Sequence, residues 1–106
     1  MNVEIVTPQE LKKLRDEKAD FVLLDVREPD EFAICNLGGA LIPLGTLPQK
    51  LNELDKNKHY VVHCKLGGRS QRAAEMMAAA GFTHVANLQG GIMGWINEID
   101  KTMPKY

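Results

Sequence analysis

Short apolar runs alternating with amphipathic ones predict an α/β fold: a five-stranded, mainly parallel sheet flanked by helices on both faces. Three observations carry this reading. Five β-rich stretches are separated by helical patterns, which implies crossover connections. Phe21–Val26 is apolar throughout except for Asp25, as expected of a strand buried on both faces. Helix-start and helix-stop signals fall between the strands rather than inside them.

The elements follow in order. Val3–Val6 is the first strand, and Thr7 then caps a helix that has Pro8 at its first position and Glu10 three residues after the cap. Leu11 and Leu14 give this helix its apolar side. Phe21–Val26 is the second strand, and Glu28-Pro29-Asp30-Glu31-Phe32 opens an acid-led helix that suits the macrodipole. Gly38-Gly39 turns the chain into a third strand, Ala40-Leu41-Ile42, before Pro43. Thr46 to Leu54 predicts a helix with Leu47, Leu51 and Leu54 on one face. Tyr60–His63 is the fourth strand. Ser70 is expected to cap a helix over Gln71–Ala80, which Gly81 ends. His84–Leu88 is the fifth strand, Gly90-Gly91 a turn, and Ile92–Ile99 the last helix. Trp95 and the Met76-Met77 pair stand at core-like helical spacing and read as packing residues.

The length, 106 residues, suits one domain over 1–106. Thirteen basic residues against 14 acidic ones leave a net charge of −1, which argues against electrostatic nucleic-acid binding. No apolar run is long enough to span a bilayer, so no membrane partner is expected. The start MNVEIVTPQE lacks the basic-then-apolar order of a signal peptide. Cys35 and Cys64 are too few for a secreted disulfide scaffold, and the three scattered histidines add no zinc-ligand pattern. A reduced cytoplasmic compartment, with no metal and no organic cofactor, is the expectation.

The chemistry concentrates in VVHCKLGGRSQRAAEMMAAAG. Cys64 follows directly on a strand and so stands at the carboxyl edge of the sheet, where ligands bind in such folds. Gly67 and Gly68 let successive N–H groups turn inward as an anion-binding nest. The helix beginning near Ser70 adds unpaired N–H donors and the positive end of its dipole. Lys65 and Arg69 add formal positive charge. A thiol so placed should ionise readily, and a thiolate or a persulfide sulfur would be cradled there. Singly, a buried Cys, a Gly-Gly turn and a Ser cap are each ordinary. Together within seven residues they point to a reactive-cysteine site comprising Cys64 and the loop residues Lys65, Leu66, Gly67, Gly68, Arg69 and Ser70.

This segment resembles the active-site loop of the rhodanese (sulfurtransferase) homology domain. LLDVREPDEF resembles that family's N-terminal signature, LGGALIPL its turn into the third strand, and NLQGGIMGW its C-terminal signature. The four stretches stand in family order over nearly the whole chain. The similarity is greatest to rhodanese domains at the C-terminus of ThiF/MoeB-like activating enzymes, including the ending Met103-Pro104-Lys105-Tyr106. The resemblance implies a five-stranded parallel sheet and a sulfurtransferase in which Cys64 takes sulfane sulfur from thiosulfate or a protein persulfide and passes it to a thiophilic acceptor. It also implies a ubiquitin-like sulfur carrier as a partner. Where the family commonly has Gly-His-Ile-Pro-Gly-Ala, this chain has Cys35-Asn36-Leu37-Gly38-Gly39-Ala40.

Two other functions share these features. Cysteine phosphatases and arsenate reductases also use a Cys in an anion loop, but the phosphatase loop has five residues between Cys and Arg, against four between Cys64 and Arg69. A non-catalytic persulfide-binding module is the third reading, and the presence of Cys64 disfavours it. Asp25 and Arg27 are candidate supporting residues near the loop, with a structural ion pair as the plainer role. Cys35 reads as a packing residue rather than a resolving thiol. His63 should point away from Cys64 because side chains alternate along a strand.

Overall fold

The structure is a computed structural model and describes residues 3–105. Met1, Asn2 and Tyr106, which belong to the terminal stretches singled out above, lie outside the described residues. Five parallel strands, β1 (Val3–Val6), β2 (Val22–Asp25), β3 (Ala40–Leu41), β4 (His59–His63) and β5 (His84–Leu88), form one sheet in the order β1-β5-β4-β2-β3. The helices are α1 (Pro8–Asp16), α2 (Pro29–Ile34), α3 (Leu47–Lys50), α4 (Gly68–Ala79) and α5 (Gly91–Glu98). The predicted α/β class, strand count and parallel pairing are all present.

Each face of the sheet has its own core. Leu24, Val26, Tyr60, Val62 and Val85 pack with Leu47 and with Ala73, Ala74 and Met77 of α4. On the other face, Val61 and Leu88 pack with Leu11, Ile92, Trp95 and Ile96 from α1 and α5. Cys64 belongs to the first core and Cys35 to the second, so the sheet separates the two thiols. The capping box at α1 forms as expected: Glu10 N–H donates to Thr7 Oγ1 at 3.1 Å, and Thr7 N–H donates to Glu10 Oε1 at 2.9 Å. No helix among the described residues is long and apolar enough to cross a membrane.

Several ends shift by one residue, and two helices depart further from expectation. The helix predicted over 46–54 is instead a 3₁₀ turn at Leu44–Thr46, the single turn α3, and a second 3₁₀ turn at Leu51–Glu53. Pro48 stands in the first turn of α3, where a missing N–H is tolerated, and with no N–H to bond back to Leu44 it keeps the Leu44–Thr46 turn from joining α3 in one α ladder. Helix α4 begins at Gly68, three residues before the predicted start, because Gly67 (φ +118°) takes the N-cap position in a left-handed conformation. Ser70 is therefore not the cap but the third residue of the helix.

The largest fully buried side chain belongs to Arg27. Its Nε donates to both Asp25 oxygens at 2.9 and 3.0 Å, and its Nη2 donates to Asp25 Oδ2 at 2.7 Å. Nη2 also donates to the carbonyl of Cys35 at 2.7 Å, and Nη1 reaches the carbonyl of Glu31 at 3.4 Å. The pair thus fixes the carboxyl end of β2 to α2 and to the turn after it. Arg27→Ala would leave the Asp25 carboxylate buried without its counter-ion. Denaturant unfolding of that variant should show a loss of about 3–5 kcal/mol, and a loss under about 1 kcal/mol would contradict the bracing role.

Candidate functional site

Strand β4 ends at His63, and Cys64 follows at the centre of the sheet's carboxyl edge, with its side chain buried among apolar neighbours. An ionised sulfur there loses most of its water and must be solvated by the protein. The loop supplies the donors. Gly67 N–H donates to Cys64 Sγ at 3.1 Å, Ser70 N–H at 3.4 Å, and the Ser70 hydroxyl lies at 3.3 Å. Burial, the largest single influence, pushes the thiol up. The Ser70 hydroxyl and the N–H groups of Ser70, Gly67 and Leu66 together outweigh it, so the thiol is held below its ordinary value. The early start of α4 makes this possible, because Ser70 N–H then belongs to the first helical turn and has no partner inside the helix.

Ser70 is itself held by Asn87 of β5. Asn87 Nδ2 donates to the Gly67 carbonyl at 3.2 Å and to Gln71 Oε1 at 3.1 Å, which leaves Oδ1 to accept from the Ser70 hydroxyl at 2.6 Å. A hydroxyl carries one hydrogen. Asn87 Oδ1, the Gly67 carbonyl at 3.2 Å and the sulfur therefore compete for it. The loop is also held from behind. Ile92 N–H donates to the Cys64 carbonyl at 2.9 Å and Met93 N–H to the Lys65 carbonyl at 3.1 Å. A Cβ on Gly91 would lie 2.4 Å from the Lys65 carbonyl oxygen, so only glycine lets α5 approach this closely.

Arg69, read from the sequence as one of two loop cations, has its guanidinium set against an acid of α2. Its Nη1 and Nη2 donate to the two carboxylate oxygens of Glu31 at 2.7 and 2.9 Å, a bidentate bridge from α4 to α2. These Arg69 hydrogen bonds are the main cause that holds the Glu31 carboxyl down to about 2. Glu31 Oε1 also accepts the Glu28 N–H at 3.0 Å, so one carboxylate caps α2 and ties it to the loop. Lys65 is half-buried, Leu66 is 69% exposed, and Gly68 opens α4 with its surface in solvent. Asp25 and Arg27 act at one remove, by fixing the helix that carries Glu31.

His63 is fully buried with its Nε2 3.8 Å from Asp25 Oδ2, beyond hydrogen-bond reach. Desolvation, only partly opposed by Asp25, holds its imidazole down to about 4, so it is neutral at neutral pH. Three contributors escaped the sequence reading. Glu31 was indistinguishable from an acid placed for the helix dipole, and Gly91 from half of a turn. Asn87 carried a signal: it is the one amide in the otherwise apolar run Val85–Leu88.

The rate of Cys64 alkylation against pH should give a midpoint below the free-thiol value of about 8.5. Ser70→Ala should move that midpoint upward, whereas an unchanged midpoint would remove the hydroxyl from the account.

Comparison with known proteins agrees with this geometry. Residues 7–98 match the family described as Rhodanese-like domain. The chain is 36% identical over 104 residues to the probable adenylyltransferase/sulfurtransferase MoeZ of Mycobacterium tuberculosis, covering 95% of this chain and 26% of that protein. It thus spans about a quarter of the length of that relative. It is 35% identical over 106 residues to the putative sulfurtransferase YtwF of Bacillus subtilis, covering 99% of both chains. The crystal structure of a rhodanese-like domain protein from Staphylococcus aureus superposes with a TM-score of 0.82 at 30% identity, over 98% of this chain and 99% of that one. With its parallel sheet, its strand-end cysteine and a match over most of its length, the chain belongs to the rhodanese-like domain family.

Proposed function

We propose that this chain is a sulfurtransferase that carries sulfane sulfur as a persulfide on Cys64. The observation that carries the reading is the ring of donors from Leu66, Gly67 and Ser70 around a buried sulfur. The Cys64 thiolate attacks the outer sulfur of thiosulfate. The sulfur–sulfur bond of the donor breaks, its electron pair leaves with sulfite, and a Cys64 persulfide remains. A thiol or cyanide then attacks the outer sulfur of that persulfide, and the Cys64 thiolate is regenerated. The N–H groups that solvate the thiolate serve the persulfide anion equally well. No step calls for a metal or an organic cofactor.

The short loop supports sulfur over phosphate as cargo. Four residues separate Cys64 from Arg69, and Glu31 accepts a hydrogen bond from each terminal nitrogen of the guanidinium. A phosphoryl group needs a cradle for three oxygens and an Arg that bridges two of them, whereas a sulfane sulfur is one atom wide. A protein persulfide suits the site as donor, and a ubiquitin-like carrier suits it as acceptor, because exposed Leu66 offers an apolar contact beside the sulfur. A thiol that must stay reduced to act fits a cytoplasmic setting.

Intact-mass spectrometry after incubation with thiosulfate should show the gain of one sulfur atom, and cyanide should remove it as thiocyanate. Cys64→Ser should abolish both, and Cys35→Ser should keep most of the transfer. Wild-type rates in Cys64→Ser, or enzyme-like hydrolysis of an aryl phosphate without sulfur uptake, would overturn the proposal.

A further inference from the structure

The sheet brings together three side chains at its amino edge, on the face that carries Val61 and Leu88. His59 begins β4 and His84 begins β5, and the two are direct partners in the parallel register. Glu4 of β1 pairs with Ala86, two residues beyond His84 and hence on the same face. The two imidazoles stack with ring centroids 3.5 Å apart and planes within 1° of parallel. Glu4 Oε1 lies 2.6 Å from His84 Nε2. Among the described residues, His59 Nε2 is shut off from solvent and has no hydrogen-bond partner.

We propose that Glu4, His59 and His84 form a binding site for a divalent transition-metal ion such as Zn²⁺. One donor atom from each residue lies within 4.8 Å of the other two. Two ligand atoms on a tetrahedral zinc stand about 3.3 Å apart, so capture requires the stacked rings of half-buried His59 and exposed His84 to tilt apart and the exposed Glu4 carboxylate to turn from His84 to the metal. Two imidazoles and a carboxylate are a zinc-type ligand set that leaves one position for water. Capture would give a buried, unbonded nitrogen a partner and would link three adjacent strands, so binding is coupled to stability. The histidines stand 25 positions apart in the chain, which is why spacing alone gave no ligand motif. The site lies a strand's length, about 16 Å, from Cys64.

The test uses Cys64→Ser protein without an affinity tag, so that neither the reactive thiol nor added histidines take up metal. Calorimetric titration with ZnCl₂ should show one saturable equivalent. CoCl₂ should give visible bands without sulfur charge transfer, and the imidazole resonances of His59 and His84 should shift while those of His63 do not. His84→Ala and Glu4→Gln, both at exposed positions, should each weaken binding about tenfold or more. In the chain that keeps Cys64, His84→Ala should leave sulfur uptake unchanged. Absence of saturable binding, or binding that survives both substitutions, would overturn the proposal.

Discussion

Everything at the carboxyl edge of this sheet answers to one electrostatic demand. An ionised Cys64 sulfur would stand where water is largely excluded, and backbone N–H groups must replace its hydration. Burial alone would keep Cys64 protonated. The loop instead holds the thiol below its ordinary value, with N–H groups of Leu66, Gly67 and Ser70 that are fixed before any charge appears and with the Ser70 hydroxyl, which the sulfur shares with Asn87. Donors held in place by a helix start and a left-handed glycine need little reorganisation when the sulfur ionises, which is the advantage of a preorganised site.

Of the two cations read from the loop sequence, Arg69 also serves the scaffold. Arg69 is neutralised by Glu31 and works as a strut between α4 and α2. Glu31 sits on a helix that Arg27 fixes through the carbonyls of Cys35 and Glu31, and Arg27 is held in turn by Asp25. A chain of charge-assisted contacts therefore runs from the buried end of β2 to the first turn of α4. Asn87 and Gly91 support the opposite side from β5 and α5. The loop is fixed from both flanks of the sheet, and its geometry is a property of the whole fold.

The fold was legible because its strands are apolar runs bounded by strong turn and cap signals; the Thr7–Glu10 box and the Phe21–Val26 run are examples. The donor-lined cysteine loop was legible because strand, cysteine, glycines and helix are contiguous. Contacts made by residues distant in sequence were not legible. The Arg69–Glu31 bridge spans 38 positions and the Ser70–Asn87 contact 17, and no local pattern encodes either. The start of α4 was misplaced for a related reason: Ser70 has the chemistry of a cap, but Gly67 has the backbone freedom to take that position first.

A crystal structure of thiosulfate-treated protein would test the central claim most directly. The account predicts an extra sulfur on Cys64 Sγ, turned inward and within hydrogen-bond distance of loop N–H groups, with the backbone from Cys64 to Ser70 unmoved. An outer sulfur turned to solvent, or a loop that must refold to hold it, would contradict the claim that the site is built for a sulfur anion.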